Sequence, residues 1–214
     1  MSDAHDVMKT GTTTIGVVCK EGIVLAADKR ATAGNYIVNK TCDKIFLITP
    51  DMALTMAGTV SDAQLLVKLI SAETKLKEIR TGQKPTVRET ASLLGSMVYY
   101  NIRKMSMIPG ISHFVLGGKD ARGFALYDIF ADGSVVAVED FISSGSGSVV
   151  AYGLLETMYD KNMSLQDAME LVVKSISAAI QRDSASGGGV DVLTITKDGA
   201  HLVVHKLLDT RLRI

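Results

Sequence analysis

The chain has 214 residues, 47% of them apolar and 21% charged, which is enough to close a sizeable core in one domain and too apolar for a disordered chain. Lysine plus arginine and aspartate plus glutamate both number 23, so no net field or basic stripe favours a nucleic acid. No run approaches the roughly 18 apolar residues of a membrane span, and Cys19 and Cys42 stand in no motif spacing, which points to reduced thiols and a cytoplasmic location.

The chain starts with a short polar leader containing Asp3, His5, Asp6 and Lys9, which lacks the apolar centre of a secretory signal. Gly11-Thr12-Thr13-Thr14 follows. Threonine favours strands, but a cut between Gly11 and Thr12 would also give Thr12 a free amine beside its hydroxyl. Strands are then expected in TTTIGVVC, GIVLAADKR, KIFLIT and MALTMAG, which are short, β-branched and bounded by turn residues.

Two helices come next. The first carries apolar residues at Ala63, Leu66, Val67, Ile70 and Leu76, with Ser61 as its N-cap; Gly82 and Pro85 end it. The second opens on Thr86 with Glu89 three residues on, a capping-box spacing. Strands return in SHFVLGGKD, GFALYDIFADG and SVVAVEDFI, the last two joined by a tight turn at Asp132-Gly133. After SSGSGS come helices in VVAYGLLETMY and SLQDAMELVVKSISAAIQRDSA, then a hairpin turned at Lys197-Asp198-Gly199. Strands and helices therefore come in runs, which argues against a doubly wound parallel sheet. The order suggests an α+β chain of two stacked antiparallel sheets with helix layers outside, with no internal repeat or linker.

The first hairpin can be registered by counting. With its axis near Glu21, Thr12 faces Arg30 and Thr14 faces Asp28, since cross-strand partners share a side. One face then carries Ile15, Val17, Ile23, Leu25 and Ala27, and the other carries Thr12, Thr14, Asp28 and Arg30. A charged end of this kind is either a solvated strand end or a carboxylate and a guanidinium placed beside Thr12. Lys44, at the start of KIFLIT, is a surface lysine unless it is desolvated against Asp28.

Taken together, GTTTIGVV, LAADKRAT, DKIFLI, MAGTVSDAQ, SSGSGS and QRDSASGG resemble the β subunits of the 20S proteasome, archaeal type, in precursor form. The similarity runs from Gly11 to about His205. It implies the four-layer αββα sandwich of the N-terminal nucleophile hydrolases, with residues 1–11 as a self-cleaved propeptide and 12–214 as a single catalytic domain. It implies Thr12 as nucleophile, Asp28 and Lys44 as its charged neighbours with Arg30 close by, and the Gly58 N–H as oxyanion donor. Ser146, Asp183 and Ser186 would support the terminal amine and the hydroxyl. Ala31, Cys42, Met56 and Val60 would line a pocket for an apolar residue ahead of the cut, with Thr32 and Val60 pairing to an extended peptide. The implied partners are proteasome α subunits, further β subunits in stacked heptameric rings, an ATP-driven unfoldase of the AAA class, and unfolded polypeptides.

The residue types suit that chemistry. A threonine hydroxyl needs a base to take its proton, and a free α-amine, with an ordinary pKa of roughly 7.7–8.0, can serve. It cannot while locked in the Gly11 amide, so cutting acts as the switch. Lys44 can help as an ammonium that favours the alkoxide, or as a neutral amine that accepts the proton. A non-catalytic ring subunit and a small-molecule amidase of the same class are the competing readings. No metal or cofactor is expected: HLVVHKL alternates as a strand, so His201 and His205 do not pair as helical ligands, and Gly187–Gly189 follows a helix where a dinucleotide fingerprint would open one. Thr13 and Thr14 read as strand residues without catalytic duty.

Overall fold

The computed structural model describes residues 11–107 and 109–209. The leader expected over residues 1–11 thus lies outside the described residues except for Gly11, as does the last stretch of the domain expected to end at 214.

One five-stranded sheet contains β1 (Thr14–Cys19), β2 (Gly22–Asp28), β10 (Phe141–Ser144), β11 (Gly189–Thr196) and β12 (Gly199–Leu207), in the order β10-β1-β2-β11-β12. A second contains β5 (Ile45–Thr49), β6 (Met52–Gly58), β7 (Ser112–Asp120), β8 (Gly123–Ile129) and β9 (Val135–Val138), in sequence order. All pairings are antiparallel. A small hairpin of β3 (Ala31–Ala33) and β4 (Tyr36–Asn39) stands apart. Helices α1 (Val60–Thr81) and α2 (Val87–Arg103) cover the second sheet; α3 (Ser148–Met158) and α4 (Leu165–Arg182) cover the first.

Three apolar layers hold these four together. Ile70, Leu94 and Phe114 lie in the layer between α1, α2 and the second sheet. Ile15, Val24, Leu155 and Ile176 fill the one under α3 and α4. Ile23, Leu25, Val115, Leu126, Leu193 and Ile195 interlock between the sheets. The expected αββα sandwich is therefore the observed fold. No helix among the described residues is long and apolar enough to cross a membrane.

The counted register of the first hairpin is corrected by one residue. The turn is Lys20-Glu21, so Cys19 pairs with Gly22 and Thr14 with Ala27, not with Asp28. A one-residue slip exchanges faces: Ile15 and Val17 share a side with Val24 and Ala26 under the helices, while Ile23 and Leu25 face the other sheet. Both sides of this strand pair are buried, so its pattern is apolar throughout and cannot fix the register.

Three further expectations change. SVVAVEDFI is two strands, because the chain leaves the second sheet at β9, turns at exposed Glu139-Asp140, and joins the first as β10. The N-cap of α1 is Thr59, not Ser61: the Thr59 N–H donates to Ile111 O straight after β6, so the helix starts two residues earlier. Its buried stripe ends at Thr74, leaving Leu76 39% exposed.

The capping box of α2 is present in full, with Glu89 N–H donating to Thr86 Oγ and Thr86 N–H donating to Glu89 Oε2. Thr86→Ala should cost about 1 kcal/mol of stability. The ammonium of Lys77, and then the N–H and hydroxyl of Thr86, hold the Glu89 carboxyl down to about 2. Its folded value lies below its ordinary 4.5, so its contribution is complete above that pH and fades as pH falls toward 2. Denaturant melts should show Glu89→Gln weaker than wild type at neutral pH, with the gap closing in acid.

Candidate active site

The site forms just ahead of β1. Strand pairing begins only at Thr14, so residues 11–13 are free of the alternation that governs the strand. The Asp28 N–H donates to Thr13 O at 3.1 Å, and the Asp28 side chain turns back toward the threonines. Its Oδ1 accepts from Thr12 Oγ at 2.7 Å, Thr13 N–H at 2.9 Å and Lys44 Nζ at 2.6 Å. Its Oδ2 accepts from Arg30 N–H at 3.0 Å and Gly187 N–H at 2.8 Å. Asp28 is thus fully buried but with every lone-pair direction used. The choice left open between a solvated strand end and a carboxylate beside Thr12 falls to the second.

Lys44 Nζ also touches Thr12 Oγ directly. Thr12 and Lys44 are each 4% exposed. Burial pushes the Lys44 ammonium below its ordinary 10.5; the charge and hydrogen bond of Asp28 oppose this without cancelling it. A hydroxyl, an amine of lowered basicity and a carboxylate therefore meet within hydrogen-bonding reach, an arrangement able to move a proton off the hydroxyl.

A second set of groups lies on the amide side of Thr12. Thr12 N–H donates to Ser146 Oγ at 3.3 Å, and Ser146 Oγ and Ser186 Oγ each donate to Asp183 Oδ2 at 2.6 Å. Asp183 is the C-cap of α4, where a negative charge opposes the helix dipole. That placement needs a reason outside the helix, and the two serines supply one. Ser146 lies in SSGSGS, which wraps Thr12: Gly147 N–H donates to Thr12 O, and Gly145 has φ +91° with any Cβ only 2.1 Å from that oxygen. Thr13, expected to be an idle strand residue, shares a 2.6 Å hydroxyl contact with Ser186.

Arg30 lies beside the pocket, its Nη1 donating to Ser184 O at 2.8 Å, so it ties β2 to the loop that carries Asp183 and Ser186. Ala31, Thr32, Cys42, Met56 and Val60 all line one pocket with Gly11, Thr12, Lys44 and Gly58; Ala57 joins them. Gly11 engages this pocket through its N–H, which donates to Thr32 Oγ. Gly58 ends β6 at φ +108°, where a Cβ would lie 2.2 Å from Ile111 O. A wider hollow between the α1–α2 link and the β5–β6 turn has no such convergence, because Lys84 and Lys119 both pair with Asp51.

Two groupings escaped the sequence reading. Lys29 is buried between Asp43 and Asp191, and Asp191 also holds His205 at 2.8 Å. His113 links Asp128 at 2.5 Å with Ser144 at 2.8 Å across the two sheets. Neither is a metal centre; among the described residues no group of three or more His, Cys, Asp and Glu side chains could hold one. Both cysteines are free and buried.

A threonine at the head of an inner strand, backed by a buried lysine in an αββα sandwich, is the architecture of the N-terminal nucleophile hydrolases. Residues 8–195 match the family described as "Proteasome subunit". A proteasome subunit beta of Archaeoglobus profundus is 44% identical over 93% of this chain and 91% of its own. Those of Archaeoglobus fulgidus, at 42% over 92% and 91%, and Methanocorpusculum labreanum, at 43% over 92% of each chain, are similarly related. The chain belongs to the proteasome subunit family, on its β side, whose members are threonine-type endopeptidases.

Proposed function

We propose that the chain is a catalytic β subunit of a 20S core particle, a cytoplasmic threonine endopeptidase that uses Thr12 as its N-terminal nucleophile once residues 1–11 are removed. The observation that carries this reading is the contact of Thr12 Oγ with both Lys44 Nζ and Asp28 Oδ1. A non-catalytic ring subunit would have no use for that buried triad.

In the uncut chain the Thr12 nitrogen is an amide and cannot act as a base. Lys44, whose affinity for a proton is lowered by burial, is then the acceptor at hand. Thr12 Oγ attacks the Gly11 carbonyl while its proton passes to Lys44. The Gly11–Thr12 C–N bond breaks, the nitrogen takes up a proton, and water hydrolyses the resulting ester. That frees the leader carboxylate and the Thr12 amine. The same sequence at a bound peptide gives an acyl ester on Thr12 and releases the amine half of the substrate; water then frees the acid half. Ser146, held by Asp183, orients the new terminal amine as a proton relay.

The Gly58 N–H serves as the oxyanion donor. Gly58→Ala would force β6 away from Ile111 O and misplace that donor. Losing one such donor costs about 3–4 kcal/mol of barrier, so kcat should fall on the order of a hundredfold or more, with KM little changed. Steady-state kinetics on a fluorogenic peptide check it.

Ala31, Cys42 and Met56 are buried and small to medium in size, so the pocket takes an apolar side chain ahead of the cut. Thr32 is buried, but it lies on β3, which pairs with β4 on one side; the other edge of β3 takes an extended peptide by strand addition. A site of this type open to solvent would cleave proteins at large. The reading therefore places it in a closed chamber of stacked heptameric rings, with α subunits outside and an AAA unfoldase feeding unfolded chains. Assembled particle, given peptides with apolar, acidic or basic residues before the reporter, should cleave the apolar series fastest. Equal or faster cleavage of the charged series would refute this specificity.

A further inference from the structure

Lys29 is 1% exposed and takes no part in the chemistry above. An ammonium buried this deeply is costly unless paired, and this one is paired twice: Nζ donates to Asp191 Oδ2 at 2.6 Å and to Asp43 Oδ1 at 2.7 Å. Burial alone would lower its proton affinity, but the hydrogen bonds and charges of Asp191 and Asp43 outweigh it and hold Lys29 above its ordinary range.

The neighbours in sequence make the pairing informative. Asp28 ends β2 with Lys29 just past it, and Asp43-Lys44 leads into β5. Lys44 reaches across to Asp28, and Lys29 reaches across to Asp43. Two ion pairs of opposite sense therefore lock the same two short segments, one on the side of Thr12 and one away from it. The backbone joins them too, since Cys42 N–H donates to Lys29 O at 2.8 Å and Lys29 N–H donates to Gly187 O at 2.9 Å. Asp191 is held in turn by His205 Nδ1 at 2.8 Å, so the lock is anchored on β11 and β12.

We propose that Lys29 is a positioning residue for the threonine chemistry: its pairing with Asp43 and Asp191 fixes the 42–44 segment against the end of β2 and so holds Lys44 on the Thr12 hydroxyl. The inference rests on Thr12 being the nucleophile. Asp43 points to Lys29 and not to Thr12, so a change at Asp43 reaches the reaction only through position. Its side chain is 70% exposed, so the fold does not depend on it as it does on Lys29.

The test uses the assembled particle with its α subunits, carrying wild type, Asp43→Asn, Asp43→Glu or Lys29→Met. Peptidase kcat and KM, the rate at which an electrophilic peptide inhibitor labels Thr12, and the melting temperature are measured. Displacements of about 1 Å cost up to a hundredfold in rate. Asp43→Asn should accordingly lose about tenfold in kcat and in labelling rate, with KM within about twofold. Its melting temperature should move by no more than about 3 °C, and Asp43→Glu, which keeps the charge, should restore most of the loss. Lys29→Met should lose more; if it fails to assemble, the two Asp43 variants decide. Thr12 labelled normally in an Asp43→Asn particle of wild-type kcat overturns this inference alone. So does a loss shared equally by kcat, KM and thermal stability. Wild-type particle labelled at a residue other than Thr12 overturns the functional reading, and this inference with it.

Discussion

Thr12→Ala should give an assembled particle with no measurable peptidase activity and with the leader still attached to every β chain. Both effects trace to one atom. The Thr12 hydroxyl, the group in contact with Lys44 and Asp28, is what the substitution removes. With the nucleophile gone, the remaining donors and binding contacts can still polarise a carbonyl, but no ester forms; losses of about a millionfold are typical when such a unit loses its nucleophile. Folding should survive, because the 12–13 backbone keeps its bonds to Asp28 and Ser146. Thr12→Ser keeps the hydroxyl and should stay partly active with the leader removed. Intact-mass spectrometry and a fluorogenic peptide assay check the pair together, and an active Thr12→Ala particle would contradict the mechanism.

The second large effect is expected at Lys44. Lys44→Met fills a similar volume but neither holds a charge nor accepts a proton, and it leaves Asp28 with four of its five donors. Loss of general-base help costs about a hundred- to ten-thousandfold, so kcat should fall by about a thousandfold, with KM close to wild type. Leader removal should slow in parallel. Lys44→Arg should not rescue either reaction, because a guanidinium does not release its proton.

The pH dependence follows from the direction of the shift. Burial sets the folded Lys44 below its ordinary 10.5, so between those two values the unfolded chain binds more protons than the folded one. Stability contributed at this site therefore rises with pH through that window. Leader removal should likewise speed up as pH rises through the folded value and then level off; Lys44→Met should show no such limb. Single-turnover measurements on freshly assembled precursor would reveal it.

Much of this molecule could be read before folding it. The Thr86/Glu89 spacing, the Asp132-Gly133 turn and the run-wise order of elements are local signals, and each has its counterpart in the structure. The register of the first hairpin was not legible, because Ile15 and Leu25 are both buried on opposite faces of a doubly covered sheet. There the two-residue turn, not the alternation, decides the pairing. The split between β9 and β10 was hidden for a related reason: Val135–Val138 and Phe141–Ser144 look like one strand until each is assigned to a different sheet.

The site divides the same way. Asp28 near Thr12 could be reached by counting, though through the wrong partner, and Lys44 only through family resemblance. Asp183 and Ser186 lie 170 and 173 residues along the chain from Thr13, and only the closed fold brings them to it. Lys29 gave no signal at all. Between Asp28 and Arg30 it reads as one more charge at a strand end, yet it is among the most deeply buried side chains in the protein. Its counter-charges, Asp43 and Asp191, lie 14 and 162 residues along the chain, and no local pattern announces them.

The most direct test is the amino-terminal sequence of the β chain from purified, assembled, active particle. The account predicts that it begins Thr-Thr-Thr-Ile, from Thr12 onward. Fully active particle in which every β chain still begins ahead of Gly11 would contradict it.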